Sequence, residues 1–457
     1  MKLIQYLIEQ NIDKIKIVII TGRKNGKDSN DLYRTAKRFK EACDERKIEC
    51  YVAFSDDGYI ARKNGKVYIH NIDDENGFEI NSSNTVAIIR GTTGKRKSSL
   101  DLISQLERHN IFCVNSRRTM EECSDKYRTA LIMADAKIPT PKTAIILGPD
   151  GIDVALKKIG KKFPVVLKTL TGSKGIGVFV AESNEGLKST LQAIWKINPD
   201  IEIIMQTYLD ADYDIRVHVL GDKVIAAMKR FKIKKDFRSN YSLGGKIEKV
   251  DLTEEQEKIA INAAQAVGAV WAGVDIITNK KDKKNYVIEI NSSPGTEGIE
   301  KATRKDIVSK VINFVLNKNN WKRPATECGY LEVVKVEEIG EMDAKLDTGN
   351  GSYCVIHADE YEVDGDKVNW RIGKREFSHK IEGIKTINVG GIETKKEDRP
   401  VLSLKVTFNN ETYDMKFTLS NRKGFSTPIL LNRKFLRLAN LSVNSAKKYV
   451  LTTKKSV

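Results

Sequence analysis

The sequence predicts an α/β protein followed by a small all-β domain, and three observations indicate this fold class. Apolar, strand-like runs alternate with amphipathic helical patterns over roughly the first 315 residues, as is typical of α/β domains. Beyond residue 327, short alternating runs separated by Gly and Asn-Gly turns replace the helical periods. The length of 457 residues is enough for two to four domains.

An N-terminal α/β domain is expected over residues 1–120. Its strands are the apolar runs at 15–21, 49–54 and 85–90. A helical pattern spans 31–47, and a second helix is expected around 117–136. The two prolines of IPTPKT (138–143) exclude helix and mark a joint to the next segment.

Residues 121–318 form the second predicted domain, a mixed α/β unit. The strands expected in it are 163–170, 201–209, a pair across 214–230, 273–277 and 286–291. The helices expected in it lie near 184–196, near 254–268 and after Arg304. NKNNWKRPATE (317–327) is typical of a linker, which we place at 319–330, so that the all-β domain covers 331–457.

The formal net charge of +17 is distributed unevenly along the chain. Residues 327–457 contain 22 Lys plus Arg against 19 Asp plus Glu, so about fourteen of the positive charges lie in 1–326. Nucleotide phosphates or ribosomes suit this charge, and a solvated lysine-rich surface explains it equally well. Because no basic helix with interleaved aromatics, zinc finger or RNP-like strand accompanies the charge, we expect no specific nucleic-acid motif.

The cytoplasm is the expected compartment, without a membrane anchor. The sequence has no uninterrupted run of eighteen apolar residues, and MKLIQYLIEQNIDK becomes charged too early for a signal peptide. Its six cysteines lack both C-x-x-C spacing and the density of a disulfide scaffold. We therefore expect buried thiols rather than zinc ligands.

Two strand-like segments carry candidate metal ligands. In YVIEINSSPGTEGIE (286–300), Glu289 and Asn291 are two residues apart and therefore project from one face of a strand. Asp275 lies mid-strand in AGVDIIT, where an unpaired charge would cost roughly several kcal/mol unless a cation or an arginine compensates it. Carboxylate and amide oxygens suit Mg²⁺ that bridges nucleotide phosphates. The alternative is that these acids form ordinary surface ion pairs.

A phosphate-binding turn is expected upstream of these acids. PVVLKTLTGSKGIGVFVAE places Lys168 at the end of a strand, before glycines that let backbone N–H groups approach phosphate oxygens. These glycines are Gly172, Gly175 and Gly177. The loop is neither a Walker A motif nor a Rossmann fingerprint, so its order relative to the acids is what makes it informative.

The order of these motifs resembles the ATP-grasp superfamily and, within it, the RimK-type carboxylate–amine ligases. The segments that carry the resemblance are Lys168 with its glycine loop, IEIIMQTYL, DIRV, MKR, DFRSNYSLGG, AGVDI and EINSSPGTEGIE. The resemblance is dense from about 122 to 315 and looser over the N-terminal α/β segment. It implies an ATP-grasp fold behind a pre-ATP-grasp α/β domain, with ATP and Mg²⁺ or Mn²⁺ as cofactors.

The resemblance also implies roles for the residues at matching positions. The implied phosphate contacts are Lys126 and Lys168. The segment implied to pair with the adenine edge is Thr207 and Tyr208. The further implied nucleotide contacts are Asp214, with Asp212 as its alternative, Arg238, Ser239 and Asn240. The implied metal ligands are Asp275, Glu289 and Asn291, and the implied catalytic cations are Arg230, Arg216 and Lys168.

The implied reaction follows from the chemistry of carboxylates. A carboxylate is a poor electrophile, so ATP first converts it into an acylphosphate, which an amine then attacks. Both steps concentrate negative charge, which positioned cations stabilise. We expect the substrates to be an amino acid, such as glutamate, and the carboxylate of a peptide or of a protein, such as a ribosomal protein. A homo-oligomer is expected.

The C-terminal segment carries a separate motif, Asp347-Thr348-Gly349, after an alternating strand. STPILLNRKFL (426–436) adds an apolar strand that runs into a turn and a short helix. Together they resemble the RimB-like, or ATP-dependent zinc protease-like, family, which has a retropepsin-like aspartic-protease fold. That family usually has Gly at the position of Asn432, so a different turn is expected there. Because the segment holds one such aspartate loop, peptidase chemistry would need a homodimer that pairs two Asp347 carboxylates.

Two alternatives to a simple ligase follow from the same residues. One is a nucleotide-gated binding protein whose C-terminal domain recognises a peptide or another partner. The other is a bifunctional enzyme that adds residues with its ATP-grasp domain and removes them with its Asp347 domain.

Overall fold

The structure, a computed structural model, describes residues 15–24, 32–91, 96–170, 177–232, 245–321, 325–388, 396–409 and 411–453. The chain divides into two compact units, Met1–Lys322 and Arg323–Val457. The first unit is α/β, and the second is built on one large sheet. Within the described ranges, no helix is long and apolar enough to cross a membrane.

The N-terminal part of the first unit is built on a parallel sheet with the strand order β2-β1-β6-β7. The strands of this part are β1 (Lys16–Thr21), β2 (Cys50–Phe54), β3 (Tyr59–Lys63), β4 (Lys66–His70), β5 (Phe78–Ile80), β6 (Thr85–Arg90) and β7 (Phe112–Val114). Its helices are α1 (Arg34–Glu45) and α2 (Arg96–Arg108). The three predicted strands are confirmed as β1, β2 and β6, whereas the small antiparallel sheet β3-β4-β5 was not predicted. The predicted helix corresponds to α1.

The rest of the first unit contains two antiparallel sheets and seven helices among its described residues. Its strands are β8 (Thr143–Ile146), β9 (Val165–Thr169), β10 (Val178–Ala181), β11 (Ile203–Thr207), β12 (Tyr213–Leu220), β13 (Lys223–Phe231), β14 (Ile247–Lys249), β15 (Trp271–Thr278) and β16 (Asn285–Asn291). Its helices are α3 (Arg117–Ser124), α4 (Lys126–Asp135), α5 (Ile152–Ile159), α6 (Asn184–Ile197), α7 (Glu254–Ala266), α8 (Glu297–Thr303) and α9 (Ile307–Val315). The sheets have the orders β10-β9-β11-β8 and β14-β13-β12-β15-β16.

The prediction of one continuous helix over 117–136 is wrong. Asp125 has an extended backbone between α3 and α4, and its side chain accepts hydrogen bonds from the backbone N–H groups of Tyr127 and Arg128. An aspartate that caps a helix N-terminus satisfies donors that would otherwise be unpaired. The break therefore starts α4 at Lys126 and places this lysine in the first turn of a helix.

The five-stranded sheet buries its two faces differently. One face packs its apolar side chains on α7, where Ala260, Ala263 and Ala264 are fully buried and allow close approach. The other face joins the core that contains β1, β6 and α9, through apolar residues such as Leu220 and Trp271. The remaining part of this second face is polar and carries the candidate site.

The second unit is a ten-stranded sheet with one short helix in its described part. Its strands are β17 (Thr326–Val336), β18 (Gly340–Leu346), β19 (Cys354–His357), β20 (Glu360–Asp364), β21 (Lys367–Ile372), β22 (Arg375–Asn388), β23 (Lys396–Phe408), β24 (Glu411–Ser420), β25 (Ile429–Leu431) and β26 (Leu441–Lys448), and its helix is α10 (Arg433–Leu438). The alternating strands bury Phe417 and Trp370 in one core, which also contains Phe435 of α10. Strand β17 already begins inside the predicted linker 319–330, and the predicted domain limits 1–120, 121–318 and 331–457 remain predictions.

Asn115, directly after β7, joins the parallel sheet to the five-stranded sheet. It is fully buried, and its Nδ2 donates to the carbonyl oxygens of Trp271 and Ser292, each at 2.6 Å. Its Oδ1 accepts from the backbone nitrogens of Val270 and Trp271 at 2.7 and 3.0 Å. One side chain thus satisfies four backbone groups at the start of β15 and just after β16.

Asn115→Ala should lower the free energy of unfolding of the first unit by roughly 3 kcal/mol or more, because it leaves four buried or partly buried backbone groups unpaired. Urea unfolding of the full chain measures this. Asn76→Ala, which truncates an exposed asparagine in the same unit, is the matched control and should have little effect. Equal unfolding midpoints for the two variants would contradict the role of Asn115.

Candidate active site

A row of charged side chains crosses three strands of the five-stranded sheet. Arg216 of β12 lies opposite Asp275 of β15, and Asp275 lies opposite Glu289 of β16. Directly opposed residues in antiparallel strands project from the same face, with Cβ atoms about 4.5–5.5 Å apart. The guanidinium and both carboxylates therefore share one face.

A second row runs beside the first, at a distance of two residues on each strand. His218, Gly273 and Asn291 form it in the same strand order. A Cβ atom at Gly273 would lie 2.8 Å from Cβ of Pro294 and 3.2 Å from Cδ of Arg216. The glycine therefore permits Pro294 and Arg216 to approach the sheet, which no larger residue would allow without displacement.

Asp275 is compensated by two arginines. It is 2% exposed, and Arg216 binds both of its carboxylate oxygens, through Nε and, at 2.8 Å, through Nη2. Arg230 Nη2 lies 2.9 Å from Asp275 Oδ2, and Arg230 Nε donates to Asp214 Oδ1 at 2.6 Å. Burial alone would raise the pKa of Asp275, but the two guanidinium groups outweigh it and hold the pKa below its usual value. The carboxylate is therefore ionised at neutral pH.

Arg230 is held in its charged form by the same network. Burial opposes the charge, but Asp275 and Asp214 together raise the pKa of Arg230 above its ordinary value. Asp214, predicted as a nucleotide contact, is 3% exposed and directs its carboxylate at Arg230. The alternative residue, Asp212, is exposed and pairs with Lys280 Nζ at 2.5 Å. Neither assignment is tested by this geometry, and both stay predictions.

The predicted metal ligands fit a divalent cation. The three guanidinium contacts occupy three of about four lone-pair positions of the Asp275 carboxylate, which leaves one acceptor position. The Glu289 carboxylate makes no hydrogen bond or ion pair with the described residues, and the buried Nδ2 of Asn291 has no partner among them. Two carboxylates and an amide on neighbouring strands are hard oxygen donors of the kind that Mg²⁺ prefers. A metal-binding role for these three residues stays a prediction.

Lys126, Lys168 and Glu289 line one partly open cleft. Lys168 projects from β9, and Lys126 Nζ lies 3.4 Å from the carbonyl oxygen of Leu170. Burial lowers the pKa of both lysines, and Glu289 partly opposes that shift in each case. The two predicted phosphate contacts therefore lie within electrostatic range of one candidate metal ligand.

The charges of the described site leave a positive excess. Its cationic side chains are Lys126, Lys168, Arg216 and Arg230. Its carboxylates are Asp214, Asp275 and Glu289. An anionic substrate such as a triphosphate is favoured by such a site.

The segment predicted to pair with adenine ends strand β11. Thr207 is its last residue, and its backbone nitrogen donates to the carbonyl oxygen of Lys142 at 3.0 Å. Tyr208 follows, with Lys232 Nζ 5.5 Å from the centre of its ring. The Thr207 N–H is already hydrogen-bonded. An adenine edge would therefore have to bond with the carbonyl oxygen of Thr207 or with the backbone of Tyr208.

Part of the predicted phosphate loop lies outside the described residues, namely Gly172 and Gly175. The predicted nucleotide contacts Arg238, Ser239 and Asn240 lie outside them as well. Gly177 is described: its φ is +79°, and a Cβ atom there would lie 2.5 Å from Thr169 Oγ1. This position therefore requires glycine for two independent reasons, the left-handed backbone and the close contact.

Several residues near the site were not predicted from the sequence. Gln206 lines the lysine cleft and donates to Thr143 Oγ1 at 2.8 Å. Arg90 and Asn115, from the N-terminal part of the unit, contact the turn that follows β16. Little in the sequence points to Arg90 and Asn115 as site residues. Each is one polar residue at the end of an apolar strand, and its hydrogen-bond partner in this turn lies more than 150 positions away.

In the second unit, Asp347 lies in a tight turn after β18. Gly349 N donates to Asp347 Oδ1 at 2.8 Å, and Asp347 N donates to the carbonyl oxygen of Leu431 at 2.9 Å. Asn432 caps α10, because its side chain accepts from Phe435 N at 3.0 Å. Its φ of −89° is ordinary, so this position does not need glycine.

Two family profiles match the chain. Residues 123–315 match the RimK-like ATP-grasp domain, and residues 328–454 match the retropepsin-like aspartic endopeptidase RimB. The RimK-like profile and the curated relatives given below indicate an ATP-dependent ligase that forms a C–N bond between a carboxylate and an amine. The chain belongs to the RimK-like ATP-grasp family and carries a RimB-like domain after the ligase domain. The predicted fusion of these two families is confirmed.

The curated relatives share one description. A protein of Vibrio atlanticus (strain LGP32) described as "Probable alpha-L-glutamate ligase" is 38% identical over 216 residues, which is 47% of this chain and 70% of that protein. Proteins with the same description from Coxiella burnetii (strain Dugway 5J108-111) and Shewanella loihica (strain ATCC BAA-1088 / PV-4) are 36% and 37% identical. These matches cover 47% and 48% of this chain and 70% and 71% of those proteins.

Solved structures confirm the predicted ATP-grasp fold class. The ATP-grasp ligase PsnB complexed with minimal precursor, Mg and ADP has a TM-score of 0.50 and 18% identity, and the match covers 67% of this chain and 98% of that one. PsnB complexed with precursor peptide PsnA2 and AMPPNP gives the same TM-score and identity over 68% of this chain and 98% of that one. At this identity, the likeness is one of fold.

The lowered pKa of Lys168 predicts a pH limit for nucleotide binding. A lysine with a depressed pKa loses its proton at lower pH than an exposed lysine, so ATP affinity should fall as pH rises toward that lowered value. In Lys168→Arg, the guanidinium stays charged, so the fall should become smaller, and the part that remains should come from the lowered pKa of Lys126. Calorimetric Kd values for ATP between about pH 7 and pH 10 measure this pH dependence in the wild type and in Lys168→Arg. Lys188→Arg, which replaces an exposed lysine, is the control. Parallel profiles for Lys168→Arg and the wild type would contradict the assignment.

Proposed function

We propose that this ligase joins the amine of L-glutamate to a carboxylate of a peptide or protein, using ATP with Mg²⁺ or Mn²⁺. The observation that carries the proposal is that Asp275 and Glu289 share one sheet face beside the Lys126–Lys168 cleft. The glutamate ligase relatives at 36–38% identity support the amino acid. PsnB, solved with a precursor peptide and with Mg and ADP, supports a peptide acceptor and Mg²⁺.

Each group of side chains has a separate task in this proposal. Lys126 and Lys168 would neutralise nucleotide phosphates, and Asp275, Glu289 and Asn291 would hold the divalent metal, whose charge would offset that of the phosphates. Arg230 and Arg216 stabilise the negative charge that develops as the carboxylate is activated. Because both arginines are fixed by Asp275, they do not reorganise during the reaction, and one such preorganised donor typically contributes about 3–4 kcal/mol.

The proposal also covers the acceptor substrate, the cellular compartment and the oligomeric state. The excess of about fourteen positive charges in residues 1–326 would attract acidic peptide tails or ribosomal particles, and a ribosomal protein is one candidate acceptor. We place the reaction in the cytoplasm and expect a homo-oligomer. The alternative of a nucleotide-gated binding protein without turnover is disfavoured, since family membership indicates a ligase.

The test is amino-acid-dependent formation of ADP with Mg²⁺. A screen of amino acids with an acidic carboxylate acceptor should single out L-glutamate, and mass spectrometry should find the acceptor heavier by glutamate residues. Glu289→Ala should reduce the rate by roughly 100-fold or more, because it removes a metal ligand at the reacting phosphates. The matched control Glu182→Ala removes an exposed carboxylate and should retain the rate. If no amino acid stimulates ADP release, or Glu289→Ala retains full activity, the proposal fails.

A second candidate function belongs to the C-terminal unit, namely hydrolysis of a peptide bond by Asp347. The turn geometry at Asp347 and the RimB-like profile favour it. Burial and Arg399 lower the pKa of Arg422, whereas Asp347 raises it, so this guanidinium lies within electrostatic range of Asp347. An aspartic dyad would require a second chain to supply the other carboxylate. A peptide-binding or dimerising module is the alternative use of the same unit.

Asp347→Asn should abolish cleavage of glutamate-extended peptides and leave ATP-dependent ligation within about twofold of the wild type. The first effect follows because an amide cannot share a proton in a carboxylate dyad. Product sizes by mass spectrometry measure both activities on the full chain. Asp364→Asn, on an exposed strand of the same unit, is the control. Cleavage that survives Asp347→Asn would exclude the aspartic mechanism and leave the binding module.

A further inference from the structure

Arg90, the last residue of β6, is a buried cation without an ionic partner among the described residues. It is 4% exposed, and its Nη2 donates to the carbonyl oxygen of Pro294 at 2.7 Å. Its Nε and Nη1 are also buried, and neither donates to any group in the described ranges. Buried charges in proteins are normally paired, because an uncompensated one is costly. Arg90 therefore has donors available for an anionic ligand.

Arg90 remains a cation at neutral pH. Burial lowers the pKa of its guanidinium to about 9, which is still well above 7. Its guanidinium carbon lies 4.7 Å from the centre of the Trp271 ring, a cation–π contact that offsets part of the desolvation. Neither this contact nor the Pro294 carbonyl supplies a negative charge.

The position of Arg90 in the fold is one where α/β sheets bind ligands. The order β2-β1-β6-β7 has β2 on one side of β1 and β6 on the other, so the order of connection reverses between β1 and β6. Crevices at the carboxyl ends of strands beside such a reversal are the usual ligand sites of open parallel sheets. Gly22 follows β1 and Gly91 follows β6, and a Cβ atom at Gly22 would lie 3.6 Å from the Gly91 oxygen. The Tyr33 ring borders both glycines, because a Cβ atom at either one would lie 3.7 Å from it.

Arg90 also lies next to the polar face of the five-stranded sheet. Trp271, which its guanidinium covers, packs against His218 with ring centres 5.9 Å apart. His218 belongs to the row that contains Gly273 and Asn291, adjacent to the row of Arg216, Asp275 and Glu289. Burial, followed by Arg216 and Arg90, lowers the pKa of His218 well below its usual value, so this ring is neutral.

The same neighbourhood concentrates buried polar atoms without partners in the described part of the chain. Besides Nε and Nη1 of Arg90, they are Nδ1 and Nε2 of His218, Nε1 of Trp271 and Nδ2 of Asn291. Such groups in a native protein require a ligand or ordered water. Four of these six atoms carry N–H groups that can only donate, and the neutral His218 ring adds one donor and one acceptor, which favours a ligand with negatively charged acceptors.

We propose that Arg90 binds a carboxylate of the substrate at the carboxyl ends of β1 and β6, beside the reacting groups. The proposal deepens the proposed function and rests on it for the presence of carboxylate substrates. Two sources share this chemistry: the carboxylates of the incoming amino acid, which has no role in the ATP-dependent step, and a carboxylate of the acceptor. Charge-assisted hydrogen bonds from a buried guanidinium would orient either one.

The test compares Arg90→Gln and Arg90→Lys with the wild type in two reactions of the full chain. The first is ligation of L-glutamate to the acceptor. The second replaces L-glutamate with hydroxylamine, which attacks the acylphosphate, releases phosphate and leaves a hydroxamate that is measured by colour with Fe³⁺. Hydroxylamine has no carboxylate, so only the acceptor can use Arg90 in that reaction. Arg118→Gln, which removes a guanidinium from the exposed surface of α3, is the matched control.

The expected result is a KM for one carboxylate substrate that rises roughly 30-fold or more in Arg90→Gln, since one partner of a buried charge pair is removed. If the carboxylate comes from the amino acid, the KM for L-glutamate rises and hydroxamate formation stays within about threefold of the wild type. If it comes from the acceptor, the acceptor KM rises in both reactions. Arg90→Lys keeps the charge and should show a smaller rise of the same KM.

Unchanged KM values for both substrates in Arg90→Gln would overturn the proposal, as would a fall in kcat alone. If Arg90→Gln does not fold, Arg90→Lys is judged by the same two criteria. Failure of the proposed function is recognised separately, from a wild type that ligates no amino acid. In that case, calorimetric titration of L-glutamate and of the acceptor peptide, with Mg²⁺ and AMPPNP present, decides: equal Kd values for the wild type and Arg90→Gln overturn the carboxylate site, and a weaker Kd for one ligand supports it.

Discussion

The ion-pair network around Asp275 is the constraint on which the rest of the site depends. A carboxylate that is 2% exposed in the middle of a sheet is stable only because Arg216 and Arg230 compensate it. The same two contacts fix both guanidinium groups on the face that also carries Glu289. One interaction therefore orients the cations, keeps the aspartate ionised and leaves it one acceptor position.

One face of the five-stranded sheet packs against α7, and the other face carries the polar groups of the candidate site. Small alanines of α7 permit dense packing on one face, and this packing holds β12, β15 and β16 in register. On the other face, the N-terminal part of the unit contributes buried polar groups at the ends of its strands, notably Asn115 and Arg90. The turn after β16 is thus held from the opposite side by residues of a different sheet. Preorganisation of this kind is what electrostatic catalysis requires.

The second unit has a different physical basis. Its core is a continuous apolar cluster within one sheet, and its candidate group, Asp347, lies in a turn whose backbone is bonded to β25. A single carboxylate in such a turn has no second carboxylate to share a proton. The use of this unit therefore depends on which group lies against Asp347: a second carboxylate would permit hydrolysis, whereas a bound peptide would not. The groups of the candidate ligase site, by contrast, lie largely within one unit.

Local patterns in the sequence were sufficient for the strands that carry the site. The alternation in YVIEIN places Glu289 and Asn291 on one face, and the apolar neighbours of Asp275 already required a cation or an arginine beside it. The same patterns located β1, β9, β11 and the β12–β13 pair, because the side-chain period of a strand is a property of a few adjacent residues. The sequence did not predict the break at Asp125. An aspartate inside a helical pattern looks like any exposed polar residue, and only its hydrogen bonds to Tyr127 N and Arg128 N identify it as a helix cap.

The sequence by itself determined the fold class, the family and the types of side chain available for chemistry. Only the tertiary structure decided which of them meet. It paired Asp275 with both Arg216 and Arg230, directed Asp214 at Arg230, and brought Arg90 and Asn115 to the turn after β16. The physical reason is that hydrogen bonds and ion pairs act over a few ångströms, and residues from 16 to 204 positions apart come within that range only when strands pair and sheets pack together.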